Sequence, residues 1–298
     1  MQIVITGASG FIGSTLVSFL SARGHAVTRL VRRQPTPSQA EAHWDPAAGR
    51  LDSTILQGTD AAVHLAGESI DGRWTPERKA RILTSRVQGT RLLSEVLAGL
   101  SPRPRVLLSA SAIGYYGDRG EEILNEGSPS GSGFLPEVCR EWEAACEPAV
   151  RRGIRVVNLR IGVVLSSQGG ALARMLFPFR LGLGARIGSG KQYMSWIAID
   201  DLLGAILHAL THDTLAGPVN AVAPNPVTNL EFTKTLGRLL GRPAVLCLPG
   251  FVARLALGEM ANGLLLASAR VEPTRLMASG YSFCHPELEG ALRHALGR

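Results

Sequence analysis

Residues 6 to 13 read Thr6-Gly-Ala-Ser-Gly-Phe-Ile-Gly13, and this stretch decides the fold. It follows a short β-rich run, Ile3 to Ile5, and it opens a segment with helical apolar spacing that extends from Gly13 to Ala22. Gly24 is placed to end that helix. Glycines at every third position between a strand and a helix permit a tight turn and close packing of the helix on the strand. The stretch therefore predicts a strand–loop–helix unit.

Strands and helices continue to alternate over the first two-thirds of the chain. Alternating strands and helices form a parallel sheet that is covered by helices on both faces. The sequence therefore predicts an α/β fold, a Rossmann-type doubly wound parallel sheet with a smaller C-terminal lobe. The expected further elements are strands at Ala26 to Val31, Ala61 to Leu65, Val106 to Ala110 and Val156 to Leu159, and a helix from Thr75-Pro76 to about Leu97.

The alternation becomes irregular after about residue 167. A helix is expected from Trp196-Ile-Ala-Ile-Asp200-Asp201 through Leu210, a short strand from Val219 to Val222, and another helix after Thr228-Asn229. The tail from Leu248 reads as amphipathic helix with a surface turn near His285-Pro286. We therefore divide the chain into a sheet domain (1–167, completed by later segments), substrate-side segments (168–247) and a helical C-terminal extension (248–298).

Composition and length exclude several classes of protein. The chain has 298 residues, of which 45% are hydrophobic and 18% charged, as in ordinary globular proteins. The sequence has no apolar run of the roughly 18 to 20 residues that a membrane span needs. The N-terminus has no basic leader, and none of the four cysteines forms a C-x-x-C pair. We expect a cytoplasmic protein with reduced thiols and no membrane partner.

The net charge of +7 raises the question of nucleic acid as a partner. Lysine and arginine are spread along the chain, without a basic tail or an aromatic-basic motif. We therefore expect a small-molecule partner, for which a phosphorylated compound would account for several of the arginines, and no nucleic acid. The sequence leaves open whether the protein is a monomer or a homodimer.

The glycine stretch has the spacing and the context of a dinucleotide-binding loop. Gly7 permits the turn, Gly10 allows the backbone to approach a pyrophosphate, and Gly13 allows the helix to pack on the sheet. The helix N-terminus offers N–H groups and a positive dipole to phosphates. We expect cofactor contacts from Thr6, Gly7, Ser9, Gly10, Phe11, Ile12 and Gly13. The alternative is a plain strand–loop–helix whose glycines serve only to turn the chain.

The end of the second strand indicates which dinucleotide binds. An NAD-binding chain usually has Asp or Glu about twenty residues after the glycines, whereas this chain has Leu30-Val31-Arg32-Arg33. An arginine can bind a 2′-phosphate that a carboxylate would repel. Arg32 therefore favours NADP over NAD, and residues 1–167 are the expected NADP-binding domain. The alternative is a solvated basic pair at the end of a strand.

These motifs together resemble the extended type of short-chain dehydrogenase/reductase, and most closely the atypical group called epimerase family proteins. The resemblance covers nearly the whole chain, including a short C-terminal extension of unknown function from about Leu248 to Leu296. The residues that carry it are Thr6 to Gly13, His64-Leu65-Ala66-Gly67, Gly89-Thr90, Ser109-Ala-Ser111, Tyr115-Tyr116-Gly117, the C-x-x-W-E pattern from Cys139, Leu159-Arg160, Phe177 to Gly184 and Trp196 to Asp201.

The resemblance implies further cofactor neighbours. Leu65, Ala66 and Gly67 are expected along the ribose and phosphates, and Arg160 and Gly162 are expected beside the cofactor. Extended members of the family usually have Asn three residues before the Gly-Thr pair, where this chain has Arg86. A cation there could reach the cofactor phosphates. Its alternative is an ordinary arginine on a helix surface.

The family's proton-transfer pair, Tyr-x-x-x-Lys, is missing from the corresponding helix. By position, Cys139 replaces the tyrosine and Glu143 the lysine. The lysine would lower the pKa of the phenol, whereas a carboxylate raises the pKa of a neighbouring thiol. The resemblance therefore implies the cofactor-binding half of the machinery and leaves the reaction open.

Some catalytic candidates remain. Ser111 matches the family serine that hydrogen-bonds the substrate oxygen, and Tyr115 or Tyr116 matches a tyrosine that lines the site in several extended members. Glu143 would serve as a general base if it were desolvated. The alternative is that Cys139, Trp142 and Glu143 only pack and cap in a site that binds without turnover.

Two basic residues and a histidine pair bear on substrate and metal binding. Lys191 and Arg180 would meet an anionic substrate, although solvated side chains are the commoner fate of such residues. His208-x-x-x-His212 has metal-like spacing but lacks a third ligand, so we expect a surface pair and assign no metal site. Two functions remain: an NADP-dependent oxidoreductase or epimerase acting on a small substrate of the nucleotide-sugar type, or a non-catalytic NADP(H)-binding sensor or regulatory protein.

Overall fold

A computed structural model describes residues 1–36 and 38–298. The strands are, in chain order, Gln2–Thr6 (β1), Ala26–Val31 (β2), Glu41–Asp45 (β3), Arg50–Leu51 (β4), Ala61–His64 (β5), Val106–Ala112 (β6), Ile123–Leu124 (β7), Arg155–Ile161 (β8), Val163–Leu165 (β9), Ala185–Ile187 (β10), Tyr193–Met194 (β11), Trp196–Ala198 (β12), Gly217–Ala221 (β13), Val227–Thr228 (β14), Leu246–Leu248 (β15) and Arg270–Val271 (β16).

The α-helices are Phe11–Ser21 (α1), Pro76–Gly99 (α2), Phe134–Ala144 (α3), Glu147–Arg151 (α4), Gly170–Arg180 (α5), Ile199–Thr211 (α6), Asn229–Leu240 (α7), Gly250–Leu257 (α8), Thr274–Ala278 (α9) and Leu288–Ala295 (α10). Short 3-10 turns cover Ser53–Leu56 and Ile113–Tyr116, and a π-helical turn covers Ala261–Leu266. Among the described residues, no helix has the length and apolar character that crossing a membrane requires.

The central sheet has eight strands in the order β13-β8-β6-β5-β1-β2-β3-β4. All neighbours are parallel except β3 and β4, which pair antiparallel. The strand order reverses between β1 and β5, and in such sheets ligands bind in the crevice beyond the carboxyl ends of the strands at this switch point. The predicted α/β, doubly wound parallel sheet is confirmed.

Each face of the sheet has its own hydrophobic core because side chains alternate along a strand. Ile3 and Ile5 pack with α1 and α6, whereas Val4 between them packs on the opposite face with α2 and α4. A third core belongs to the C-terminal lobe, where α5, α7 and α10 surround Trp196 and Phe232. β9 and β12 pair with each other and connect the first and third cores, because Val164 and Ile197 lie in the first core whereas Leu165 and Trp196 lie in the third.

Helix boundaries follow local chemistry. The hydroxyl of Thr75 accepts a hydrogen bond from Arg78 N–H at the start of α2, where Pro76 occupies the first helical position. Thr228 caps α7 in the same way, and Gly241 ends that helix in the left-handed conformation. Both helices begin next to a threonine that caps them, and because a capping residue can be recognised in the sequence, the two helix starts agree with prediction.

Several predictions of elements were wrong. Helix α1 begins at Phe11 rather than Gly13, and the strands β3 and β4 were not predicted. The tail from Leu248 is not one amphipathic helix, because Gly258, Pro273 and Pro286 divide it into shorter pieces. Its strand β16 pairs with β7, so the extension is joined to the first two-thirds of the chain.

Candidate active site

The glycine loop lies at the switch point of the sheet, between the carboxyl end of β1 and the start of α1. Gly7 has a φ of +69°, which favours glycine. The turn is closed by a hydrogen bond from Gly10 N–H to Gly7 O at 2.9 Å. The loop is therefore fixed by its own backbone, with the N-terminus of α1 directed at the crevice.

The three glycines are required for different reasons. A Cβ on Gly7 would lie 2.7 Å from the carbonyl carbon of Leu65, and a Cβ on Gly13 would overlap the carbonyl oxygen of Gly7. Both positions therefore allow backbone segments to approach closely. A Cβ on Gly10 would meet only Gly7 O at 3.3 Å. Gly10 is therefore not required by contacts within the protein to the same degree. A glycine there agrees with the expectation that the backbone at Gly10 approaches a pyrophosphate.

The buried residue His64 contacts Thr6, the first residue of the glycine loop. Thr6 Oγ1 accepts the N–H groups of Leu65 and Ala66 at 3.2 and 3.3 Å, and it shares a hydrogen bond of 2.7 Å with Nδ1 of His64. Burial, and next the charge of Arg86, lower the pKa of His64 to about 3, so the imidazole is neutral at physiological pH. In the sequence His64 stands out only as part of the His64-Leu65-Ala66-Gly67 motif, and its role beneath the loop is not predicted because nothing local indicates its partner.

The two arginines after β2 have different environments. Arg33 pairs with Glu41 at 2.7 Å, and the side chain of Glu41 is almost fully buried. Arg32 is exposed, and within residues 1–36 and 38–298 no hydrogen bond or ion pair of its side chain is found. The two arginines therefore differ in function. Arg33 forms an ion pair with Glu41 at the start of β3, whereas the side chain of Arg32 is available to a ligand.

Arg86 contacts the segment that follows β5. Its Nη1 donates to the carbonyl oxygen of Glu68 at 2.9 Å, and its guanidinium lies 4.9 Å from the ring centroid of Trp142. A Cβ on Gly67 would approach the guanidinium carbon to 3.2 Å. Burial lowers the pKa of Arg86, although an arginine remains charged. A cation, the guanidinium of Arg86, therefore lies next to the segment that contains Leu65, Ala66 and Gly67.

A buried polar cluster joins β6, α3 and β8. Ser111 Oγ donates to Glu143 Oε1 at 2.7 Å. Arg160 binds the same carboxylate with two hydrogen bonds, from Nε to Oε1 and from Nη2 to Oε2, both 2.9 Å long. Ser111 and Arg160 are neighbours because they are paired in register on β6 and β8. Two catalytic candidates, Ser111 and Glu143, are therefore in direct contact.

The two tyrosines differ in accessibility. Tyr116 is fully buried, and its hydroxyl donates to Asn220 Oδ1 at 2.7 Å and accepts from Arg160 Nη1 at 3.0 Å. Burial raises the pKa of Tyr116. Tyr115 is half-buried, with the guanidinium carbon of Arg160 3.4 Å from its ring centroid. Tyr115 is therefore the more accessible of the two tyrosines.

Cys139 and Trp142 lie inside the protein. The thiol of Cys139 is 3% exposed and donates weakly to Ala112 O at 3.7 Å. Burial, and next the charge of Glu143, raise the pKa of Cys139 to about 12. The direction of this shift agrees with the sequence-based prediction. Cys139 is a thiol at neutral pH and is not available as an anion.

Other predicted positions are spread around this centre. Arg160 contacts the polar cluster, and Gly162 packs so tightly that a Cβ would lie 2.7 Å from Ser195 O. Lys191 is exposed, while Arg180 lines a cavity of about 320 Å³ with Arg242 and Arg298. His208 and His212 stack with their ring centroids 3.5 Å apart.

The fold and the loop define a class of protein: a dinucleotide-binding protein built on a Rossmann-type sheet. A family model described as the NAD dependent epimerase/dehydratase family matches residues 3–221, and one described as a domain of unknown function (DUF1731) matches residues 248–295. Because the first covers more than half of the chain, the chain belongs to the NAD-dependent epimerase/dehydratase family.

Relatives cover the whole chain. An epimerase family protein of Mycobacterium leprae is 41% identical over 297 residues, which are 99% of this chain and 96% of the relative. The crystal structure of human epimerase family protein SDR39U1 (isoform 2) with NADPH superimposes with a TM-score of 0.90 at 37% identity, covering 100% of this chain and 99% of the human one. A Corynebacterium glutamicum structure, described as a nucleoside-diphosphate sugar epimerase, gives 0.83 at 39% identity, covering 100% of this chain and 58% of that chain.

Proposed function

We propose that this protein binds NADP(H) in the crevice beyond β1 and β5 and uses it to oxidise or reduce a small substrate. The observation that carries the proposal is the glycine loop, in which Gly7 and Gly13 permit backbone contacts that any side chain would prevent. The residues proposed to hold the pyrophosphate and adjoining ribose are Thr6, Gly7, Ser9, Gly10, Phe11, Ile12, Gly13, Leu65, Ala66 and Gly67.

Two arginines support NADP over NAD. Arg32 follows β2, where the adenosine ribose is bound in this fold, and its side chain is not committed to a protein partner among the described residues. Arg86, behind Gly67, adds positive charge near the proposed phosphate positions. The human relative was crystallised with NADPH, which agrees with this preference. Arg160 and Gly162 were predicted to contact the cofactor, and their role there stays a prediction.

The binding proposal is tested by titrating NADPH and NADH against the protein and following nucleotide fluorescence. We expect NADPH to bind at least about tenfold more tightly, which corresponds to about 1.4 kcal/mol. Arg32→Asp should reverse the order, because a carboxylate repels the 2′-phosphate and accepts from the ribose hydroxyl. Arg105→Asp, with the same change in charge at an exposed position before β6, should leave the order unchanged. Equal affinities in the native protein would contradict the proposal.

The chemistry proposed is reversible oxidation of a substrate hydroxyl. The bound nucleotide supplies or accepts the hydride. In this proposal Ser111 Oγ receives the proton of the substrate hydroxyl while its own proton passes to Glu143, 2.7 Å away. The carboxylate is fixed for this by two hydrogen bonds from Arg160. Tyr115, beside Arg160, borders the same space. The reverse transfers return the proton and the hydride.

A small, nucleotide-sugar-like substrate is the proposed partner. The support is the name of the Corynebacterium relative, a nucleoside-diphosphate sugar epimerase, together with Lys191 on the exposed segment that precedes β11. We propose a cytoplasmic monomer or homodimer that binds neither membranes nor nucleic acid. These statements stay predictions.

The second candidate function is NADP(H) binding without turnover. It is favoured by the position of Cys139, which occupies the place of the family's tyrosine, is buried and has a pKa raised to about 12. It is favoured too by Tyr116, whose hydroxyl is already bound on both sides. Neither residue can replace the missing phenol at neutral pH.

Deuteride transfer separates the two functions. NADPH carrying deuterium at C4 is incubated with carbonyl compounds and oxidised nucleotide sugars, and label in the product is measured. We expect transfer by the native protein and a fall of about 100-fold or more in Ser111→Ala, because the proton relay is removed. Ser109→Ala, a second buried serine on β6, should keep the native rate. Absence of transfer to every substrate would favour binding without turnover. Equal rates of transfer in the native protein and Ser111→Ala would contradict the proton relay through Ser111.

A further inference from the structure

Three potential metal ligands meet on the surface of the C-terminal lobe, outside the proposed active site. They are Asp200 in the first turn of α6, His285 in the loop before α10, and His294 near the end of α10. One ligand atom of each lies within 4.8 Å of one ligand atom of each of the others. Asp200 and His294 are exposed, and His285 is half-buried, so the cluster is open to ions from solvent.

The backbone that carries these ligands is held by other contacts. The carboxylate of Asp201 is buried and accepts the N–H groups of Cys284 and His285, at 2.6 and 2.9 Å. This fixes the His285 loop against the start of α6. Helix α10 is anchored by the burial of Leu288 and Leu292 in the lobe core. Ligands on a rigid scaffold lose little conformational entropy when an ion binds.

The side chains are already arranged face to face. The rings of His285 and His294 stack with centroids 4.3 Å apart and planes 25° apart, and Nε2 of His294 contacts Asp200 Oδ2. A tetrahedral ion would need ligand atoms somewhat farther apart than a hydrogen bond, and the exposed side chains of Asp200 and His294 can move that far. Two imidazoles and one carboxylate, with a fourth position open to water, form a donor set suited to zinc.

The surrounding charges favour a cation. Asp200 and Asp201 add two carboxylates to the first turn of α6, where they offset the positive end of the helix dipole. Arg293, the cation beside His294 in the sequence, is bonded to Glu289 at 2.9 Å. We propose that Asp200, His285 and His294 form a zinc-binding site that joins α6 to α10 and the loop before it.

The test is calorimetric titration of the full-length protein with Zn²⁺ in the absence of nucleotide, whose phosphates would compete for the ion. We expect one equivalent to bind with micromolar or tighter affinity. His294→Ala and Asp200→Asn should each weaken binding by at least about tenfold. Both residues are exposed, so neither change should disturb folding, which circular dichroism checks.

The stacked pair His208 and His212 provides the matched control, because among the described residues it belongs to no cluster of three potential metal ligands. His212→Ala should leave Zn²⁺ affinity unchanged. Absence of binding, loss of binding in His212→Ala, or native affinity in His294→Ala would each overturn the proposed site. A four-coordinate Co²⁺ spectrum in the native protein that is lost in His294→Ala would give independent support. The result does not depend on nucleotide binding, so its failure would not affect the proposed function.

Discussion

Glu143 is bound by Ser111 from β6 and by Arg160 from β8. A carboxylate with two hydrogen bonds from Arg160 has a fixed position, and breaking such a buried pair by removing one partner costs about 3 to 5 kcal/mol. The pair therefore has a structural role whether or not the protein turns over a substrate. What makes it a catalytic candidate is the hydroxyl of Ser111, which donates a hydrogen bond to the same carboxylate.

The cysteines give a prediction at the scale of single residues. Burial raises the pKa of Cys139 to about 12 and that of Cys146 to about 11, whereas Cys247 is exposed. A raised thiol pKa keeps the protonated, unreactive form as pH rises. Between about pH 7 and about pH 9, iodoacetamide should therefore modify Cys247 and exposed Cys284 but neither buried thiol. Peptide mass mapping measures this.

The control for this experiment is the same reaction in urea, where all four cysteines should react. Cys284 should react more slowly than Cys247, because burial and next Asp201 raise its pKa. Modification of Cys139 in the folded protein near pH 9 would contradict its assigned environment and would restore it as a candidate proton donor.

At the scale of elements, the unit that matters most is β1, its glycine loop and α1. A Cβ on Gly13 would overlap Gly7 O, so Gly13→Ala should push α1 away from the loop. We expect a loss of about 1 to 3 kcal/mol in the free energy of unfolding and at least tenfold weaker NADPH binding, estimated from the cost of overpacking. Urea unfolding and nucleotide fluorescence measure the two effects.

Gly290→Ala is the matched control, because Gly290 lies in α10 with no neighbouring atom within 4 Å of a Cβ. Alanine there should stabilise the protein by up to about 1 kcal/mol through its higher helix propensity, without altering NADPH affinity. Native nucleotide affinity in Gly13→Ala would show that close contact between Gly7 and Gly13 is not what shapes the loop.

At the scale of the whole molecule, the C-terminal extension is part of the fold that surrounds the site. Ser195 Oγ accepts the N–H of Val271 at 2.9 Å and donates to Ala269 O at 2.8 Å. Ala269 and Val271 also pack against Tyr116, whose hydroxyl contacts Arg160. The extension thereby covers Tyr116 and contributes to the burial of the polar cluster of Ser111, Glu143 and Arg160. Its amphipathic pattern was visible in the sequence, but its strand β16 and its attachment to β7 were not.

The sequence by itself determined the strand, glycine loop and helix of residues 2–21, the parallel sheet and the arginine after β2. These features follow from local sterics and from the period of apolar residues, which neighbouring positions are sufficient to specify. The predicted start of α1 was two residues late because the first turn of a helix has no periodicity of its own.

Only the tertiary structure decided which polar groups meet. Ser111 and Glu143 are 32 residues apart, and Asp200 and His294 are 94 apart. Their contacts depend on strand register and helix packing, which leave no periodic signal in the sequence. Burial likewise separated Tyr116 from Tyr115, although the two are adjacent in the chain. The cofactor loop could be predicted from the sequence because its residues are neighbours in the chain. The polar cluster could not, because its residues are distant in the chain and meet only in the folded protein.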